Sequence, residues 1–210
     1  MSVDAQASRA RIEFWFDFAS TYSYLTAMRI DEAARAAGVT VTWRPFLLGP
    51  IFSGQGWNTS PFNLYPAKGR YMWRDMERMT RERGLPLVQP DPFPQNSLLA
   101  ARTGLAVRKS NTAKLPAFCK ALFTAQFGDG RDIFDTQTLM DAVSAAGLDP
   151  KVTLEQAITP EIKAELRNET EQAQGIGIFG APTFVTSYGE LFWGDDRLDQ
   201  ALEWATRVSR

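Results

Sequence analysis

Residues 11–46 hold two apolar runs and one amphipathic stretch with almost nothing between them, and that arrangement restricts the folds open to the chain. The run IEFWFDF, residues 12–18, reads as a buried strand. From Tyr22 onward Leu25, Met28, Ala33 and Ala36 recur at helical spacing, and Gly38 supplies a left-handed stop, so the spacing predicts a helix over 21–37. Residues 39–46, VTVTWRPF, alternate and are rich in β-branched side chains, which predicts a second strand. Strand, helix, strand makes a βαβ unit, and its hydroxyl-rich turn falls at the C-terminal end of the first strand.

Downstream the pattern changes. Residues 49–66 are punctuated by Pro50, Gly54, Gly56 and Pro61 and read as loop, and a helical pattern then covers 67–83. The stretch GLPLVQPDPFPQN ends it, and further helices are expected at 97–110, 115–127, 136–146, 154–157 and 160–174. After GIGIFGAP, strands at 183–187 and 190–193 joined through Tyr188-Gly189 make a hairpin, and a last helix over 196–208 takes Asp195 as its cap. The order predicts an α/β fold split by a helical insertion, with 11–56 and 176–210 as one discontinuous unit and 57–175 as the insertion.

Composition narrows the chemistry. The 210 residues include no histidine and a single cysteine, Cys119. An intramolecular disulfide, a multi-thiolate metal site and a histidine-based triad are therefore excluded, and no metal site is expected. With 23 Lys plus Arg against 24 Asp plus Glu, there is no electrostatic footprint for nucleic acid or an anionic membrane. No apolar run approaches a bilayer-spanning length. The opening MSVDAQASRAR lacks the apolar stretch of a secretion signal, Asp4 argues against a transit peptide, and the expected location is cytoplasmic. Cys119, beside Phe118, Leu122 and Phe123, reads as a small buried hydrophobe.

Taken singly, the polar candidates have plain readings. Ser20 before a helix is an N-cap, and Asp195 and Asp196 sit where caps are wanted. Pro182 signals the start of a strand, Asn58 is a loop residue and Lys68 a solvated surface charge. Trp57, Phe62, Tyr65, Tyr71, Trp73, Phe93 and Asn96 belong by default to core or loop packing.

Their shared order says more. FDFASTYSYL, WRPFLLGPIF, NLYPAKGRYMWRDMER, GLPLVQPDPFPQNSLLAAR, GIFGAPTFV and LFWGDDRL, spread over nearly the whole chain, resemble the 2-hydroxychromene-2-carboxylate isomerases and their kappa-class glutathione transferase relatives. The resemblance implies a DsbA-like thioredoxin fold with an all-helical insertion. It places Ser20 and Ser23 at both redox-cysteine positions, which excludes dithiol exchange and leaves a hydroxyl at a helix N-terminus to stabilise the thiolate of reduced glutathione. It implies a cis Ala181-Pro182 bond facing that turn, with the backbone of Ala181 free to pair with glutathione as an extended peptide. Glutathione binding is also implied for Tyr22, Asn58, Lys68, Trp193 and Arg197, with Asp195 and Asp196 on its α-amino group. A small aromatic carboxylate substrate would meet Asn58, Lys68, Phe93 and Asn96. Thr21 departs from the pattern, since many relatives carry proline there.

The implied activity is glutathione-dependent interconversion of 2-hydroxychromene-2-carboxylate and trans-o-hydroxybenzylidenepyruvate, in aromatic hydrocarbon catabolism and by a homodimer. A kappa-like transferase conjugating glutathione to small electrophiles is the alternative, and a non-catalytic glutathione- or peptide-binding module is the third.

Overall fold

The computed structural model describes residues 10–207. The reading of the N-terminal segment 1–9 and the predicted helix end at Val208 therefore lie outside the described residues. Strands β1 (Arg11–Phe16), β2 (Thr40–Pro45), β3 (Thr183–Thr186) and β4 (Leu191–Trp193) form one sheet in the order β2-β1-β3-β4. Helix α1 (Thr21–Ala37) joins β1 to its parallel neighbour β2, while β3 runs antiparallel to both β1 and β4. As predicted, Gly38 takes the left-handed conformation (φ 68°) that ends α1.

Between β2 and β3 lie eight helices: α2 (Leu48–Gly54), α3 (Pro61–Leu64), α4 (Pro66–Arg83), α5 (Leu98–Ser110), α6 (Leu115–Phe123), α7 (Thr136–Ala145), α8 (Pro150–Ala157) and α9 (Pro160–Gly175). Helix α10 (Leu198–Arg207) follows β4. Because successive strand residues point to opposite faces, Ile12, Phe14 and Phe16 enter one core and Trp15 another. The first core is continuous from Phe14 and Phe184 of the sheet to Phe118, Phe123 and Leu139 of the helical segment. On the opposite face Trp15 and Val185 pack with Phe46, Ile51 and Ala173. Full burial of Phe14, Phe16 and Phe18, roughly 2 kcal/mol for each ring, makes a rigid base for the turn that follows β1.

Several elements differ from expectation. β1 ends at Phe16 instead of running to Phe18, because the Asp17 carboxylate builds a turn by accepting from Ala19 N–H. The expected loop over 49–66 contains α2 and α3, the latter capped by Ser60 and opened by Pro61. Helix α6 stops at Phe123, and a wide π turn, Thr124–Gly128, replaces the rest of the helix expected to 127. Helix α8 begins at Pro150 instead of Leu154, since Asp149 Oδ1 accepts from Val152 N–H (3.1 Å) and proline suits the first helical position. Asp195 does not cap the last helix. Gly194 precedes a 3-10 turn (Asp195–Arg197) with no side-chain capping bond, and α10 begins at Leu198. The Ala181-Pro182 bond is cis as expected, and Asp91-Pro92 and Phe93-Pro94 are cis as well.

Candidate active site

The turn after β1 is built from its own backbone. Ser20 N–H donates to the Asp17 carbonyl (3.0 Å), and Ala19 N–H donates to Asp17 Oδ1 (2.9 Å). Ser20 is thereby held extended (φ −90°, ψ 118°) at the mouth of α1, and its Oγ accepts from Ser23 N–H at 3.2 Å, the cap predicted from sequence. The same hydroxyl donates to the Ala181 carbonyl at 3.0 Å. The Ala181 carbonyl, part of the backbone that the resemblance pairs with glutathione, thus already accepts one bond and keeps a second lone pair. Thr21, in place of proline, donates its hydroxyl to Met72 Sδ (3.3 Å) and so ties the first turn of α1 to α4.

Ser20 opens on a cavity of about 1310 Å³. Tyr22 lines it from α1, Asn58 from the loop after α2, and Lys68 from the start of α4. Phe93 and Asn96 form a further wall, and Ala181, Pro182, Trp193, Asp195 and Asp196 complete the rim. Arg197 is not brought to it; its guanidinium is exposed, 3.6 Å from Asp196 Oδ2. Trp57, Phe62 and Tyr71 also line the cavity, whereas Tyr65 and Trp73 do not. Among the described residues no cluster of three or more His, Cys, Asp or Glu is arranged for a metal ion, and no helix is long and apolar enough to cross a membrane.

The two aspartates at the rim have different surroundings. Asp195 is 2% exposed; its Oδ1 accepts from Thr26 Oγ1 (2.9 Å) and Arg29 Nε (3.3 Å), and its Oδ2 from Arg83 Nη2 (2.6 Å). Two guanidiniums outcompete a helix terminus for this carboxylate, which accounts for the missing cap. Asp196 is exposed, with Oδ1 only 2.5 Å from where a Cβ on Gly194 (φ 112°) would lie. A second close approach fixes Trp193: a Cβ on Gly180 would sit 2.4 Å from its Nε1, and its ring packs 5.0 Å from that of Phe179.

Tyr22 donates its hydroxyl to Asp75 Oδ2 at 3.0 Å, and burial, then the Asp75 charge, pushes the phenol well above its ordinary value. Lys68 is exposed with Nζ 5.0 Å from the centre of the Tyr65 ring. Asn58 is exposed as well. Asn96 uses Oδ1 to accept from Leu98 N–H (3.0 Å), and Phe93 stands edge-on to Trp73 with centroids 4.8 Å apart.

Sequence reading missed four residues here. Asp17, 3% exposed, accepts from Leu48 N–H through Oδ2 (2.8 Å), from the Ser97 hydroxyl and from Ala19 N–H, and burial outweighs these bonds to raise its pKa. An acid between an apolar strand and a hydroxyl turn was its only local signal. Arg29 and Arg83 reach Asp195 from α1 and α4, and Gln95 is buried in the cavity wall. Nothing in the local pattern of these three distinguishes them.

Comparison with known proteins adds to this geometry. The DSBA-like thioredoxin domain family matches residues 11–203. A 2-hydroxychromene-2-carboxylate isomerase of Sphingobium xenophagum is 32% identical over 90% of this chain and 94% of its own. Glutathione S-transferase kappa 1 of Homo sapiens is 27% identical over 90% of this chain and 87% of its own. A solved structure of a 2-hydroxychromene-2-carboxylate isomerase superposes with a TM-score of 0.83 at 25% identity, covering 95% of this chain and 96% of that one. With a matching domain and a matching fold, the chain belongs to the 2-hydroxychromene-2-carboxylate isomerase family of DsbA-like thioredoxin proteins, related to the kappa-class glutathione transferases.

Proposed function

We propose that this protein is a glutathione-dependent isomerase that interconverts 2-hydroxychromene-2-carboxylate and trans-o-hydroxybenzylidenepyruvate. The observation that carries the reading is the Ser20 hydroxyl, set at the N-terminus of α1 and 3.0 Å from the Ala181 carbonyl at the edge of a large cavity. The donor set fits a tripeptide thiol. A hydroxyl at a helix N-terminus suits a sulfur anion, a backbone carbonyl beside Pro182 suits a peptide N–H, and the exposed Asp196 suits an ammonium group. Bound glutathione supplies the nucleophile, a thiolate that adds to a conjugated carbon and leaves again with no net redox change.

The chain's own residues prepare that site. Ser20 keeps its proton and turns its hydrogen bond from the Ala181 carbonyl to the sulfur anion, and that carbonyl then accepts from a peptide N–H of the ligand. Asp195 holds Arg29 and Arg83 behind the rim so that Asp196 faces the ammonium end, flanked by Trp193. Tyr22, Asn58 and Lys68 receive the rest of the glutathione. On the other side Lys68 and Asn58 take the substrate carboxylate as a point charge and an amide, and Phe93 and Asn96 form the wall for its aromatic ring. The catalytic machinery sits on the 11–56 and 176–210 unit, with the 57–175 insertion closing over the substrate. A cytoplasmic homodimer serving aromatic catabolism completes the reading.

A spectrophotometric isomerisation assay tests it, with glutathione omitted and with Ser20→Ala. Loss of turnover in both arms is expected, and turnover indifferent to both would end the proposal. The similarity to a kappa-class transferase supports a second reading, conjugation of glutathione to a small electrophile. Consumption of glutathione in step with substrate would favour that reading, whereas catalytic amounts suffice for the isomerase.

A further inference from the structure

The carboxylate of Asp17, at the start of the turn that leads to Ser20, meets donors from three separate elements. Oδ1 accepts from Ala19 N–H within the turn (2.9 Å), and Oδ2 accepts from Leu48 N–H at the first residue of α2 (2.8 Å). The third donor is the hydroxyl of Ser97, the residue before α5. Asp17, Ala19, Leu48 and Ser97 all border the cavity that holds Ser20.

Two helices depart from ordinary capping to make these bonds. The residue before α2 is Leu47, whose side chain has no acceptor to offer, and the orphan N–H of Leu48 is met by Asp17 instead. Ser97 stands where a serine commonly caps its own helix, yet it makes no side-chain capping bond and gives its hydroxyl to Asp17. Asn96 Oδ1 accepts from Leu98 N–H (3.0 Å) in its place. A hydroxyl diverted from its own helix to a carboxylate on another wall fixes one wall against the other. The loop leading to Ser97 carries Phe93 and Asn96, α2 leads to Trp57 and Asn58, and the turn ends in Ser20; every one of these lines the cavity.

Resting on the isomerase reading, we propose that Asp17 is a positioning residue: it sets the distance between the Ser20 hydroxyl, where the glutathione sulfur is held, and the wall of Phe93 and Asn96, where the substrate ring is held. Neither Asp17 nor Ser97 touches the reacting atoms. A thiolate and a conjugated carbon react only from close contact in the right alignment, so a small displacement of one wall lowers turnover while each ligand keeps its own contacts.

A double-mutant cycle in the isomerisation assay, with reduced glutathione saturating, tests this. Asp17→Ala removes all three bonds and Ser97→Ala only the one to the loop. Ser97→Ala is expected to lower kcat/KM for trans-o-hydroxybenzylidenepyruvate about ten-fold, with glutathione affinity, read by tryptophan fluorescence, within about two-fold of wild type. Asp17→Ala is expected to lose more, the double variant no more than Asp17→Ala alone, and Ser97→Thr, which keeps the hydroxyl, to stay within about three-fold of wild type. A Ser97→Ala loss that persists in full in the Asp17→Ala background means that Ser97 acts on the substrate directly, and overturns the inference. Unchanged turnover in Ser97→Ala overturns it too, as does a parallel loss of glutathione affinity, the mark of a merely structural role. Ser97→Ala against Ser97→Thr decides if Asp17→Ala does not fold. Where wild type consumes glutathione instead of isomerising, the isomerase reading falls and the same cycle on the conjugation rate judges Asp17. A wild-type protein that does neither removes both.

Discussion

The Ser20 hydroxyl donates to the carbonyl of Ala181 across 161 residues of chain, at 3.0 Å, while accepting from Ser23 N–H. One oxygen thus caps a helix and bridges the two halves of the split α/β unit. Any ligand that takes its proton must also find a partner for the Ala181 carbonyl, and a peptide does both.

Replacing Ser20 with alanine removes the cap and the donor together. A helix cap is worth about 1 kcal/mol, and that loss is expected in urea unfolding. A hydrogen bond to a charged group is worth about 1.5–3 kcal/mol, so kcat/KM is expected to fall roughly 10- to 100-fold. The hydroxyl favours the thiolate, so its removal moves the rise of activity with pH, and the ultraviolet absorbance of bound thiolate, to higher pH. An unmoved pH profile would show that Ser20 does not face the sulfur.

Asp195 holds Thr26, Arg29 and Arg83 from α1 and α4, and Asp195→Asn leaves two guanidiniums without their anion. Removing one partner of a buried ionic cluster costs about 3 kcal/mol, reduced here because both arginines retain partial solvent access. A clear fall in the thermal midpoint is the expected result, larger than that for Asp196→Asn, whose carboxylate is exposed.

The Asp17 carboxyl has its pKa raised, by burial above all, so between the ordinary carboxylate value and its own it holds a proton that the unfolded chain has released. The folded state then binds more protons, and this group's contribution to stability falls as pH rises through that window, by no more than about 1.4 kcal/mol per pH unit. Asp17→Asn lacks that titration. Urea unfolding of both proteins, followed as pH rises from the ordinary carboxylate range, is expected to show wild-type stability falling relative to the variant.

Gly180→Ala places a methyl group where Trp193 Nε1 now lies, at 2.4 Å. The indole must swing away from Phe179 and from the cavity rim. A red-shifted tryptophan emission and glutathione affinity weakened at least several-fold are expected, with the isomerisation step itself less affected once glutathione saturates.

What the sequence alone determined was whatever depends on neighbours within a turn or a pleat: the strand-helix-strand opening, the left-handed stop at Gly38, the hairpin before α10, and Ser20 as a cap. Even the start of α8 was legible, in the Asp149-Pro150 pair that went unread. Only the tertiary structure decided where Asp195 turns, that Ser20 meets Ala181, and that Asp17, Arg29, Arg83 and Gln95 converge on one cavity and its rim. The reason is competition. A local pattern fixes which backbone groups can bond within a few residues, but a carboxylate or hydroxyl with several possible partners settles on the one that packing brings closest, and that partner lies far away in sequence.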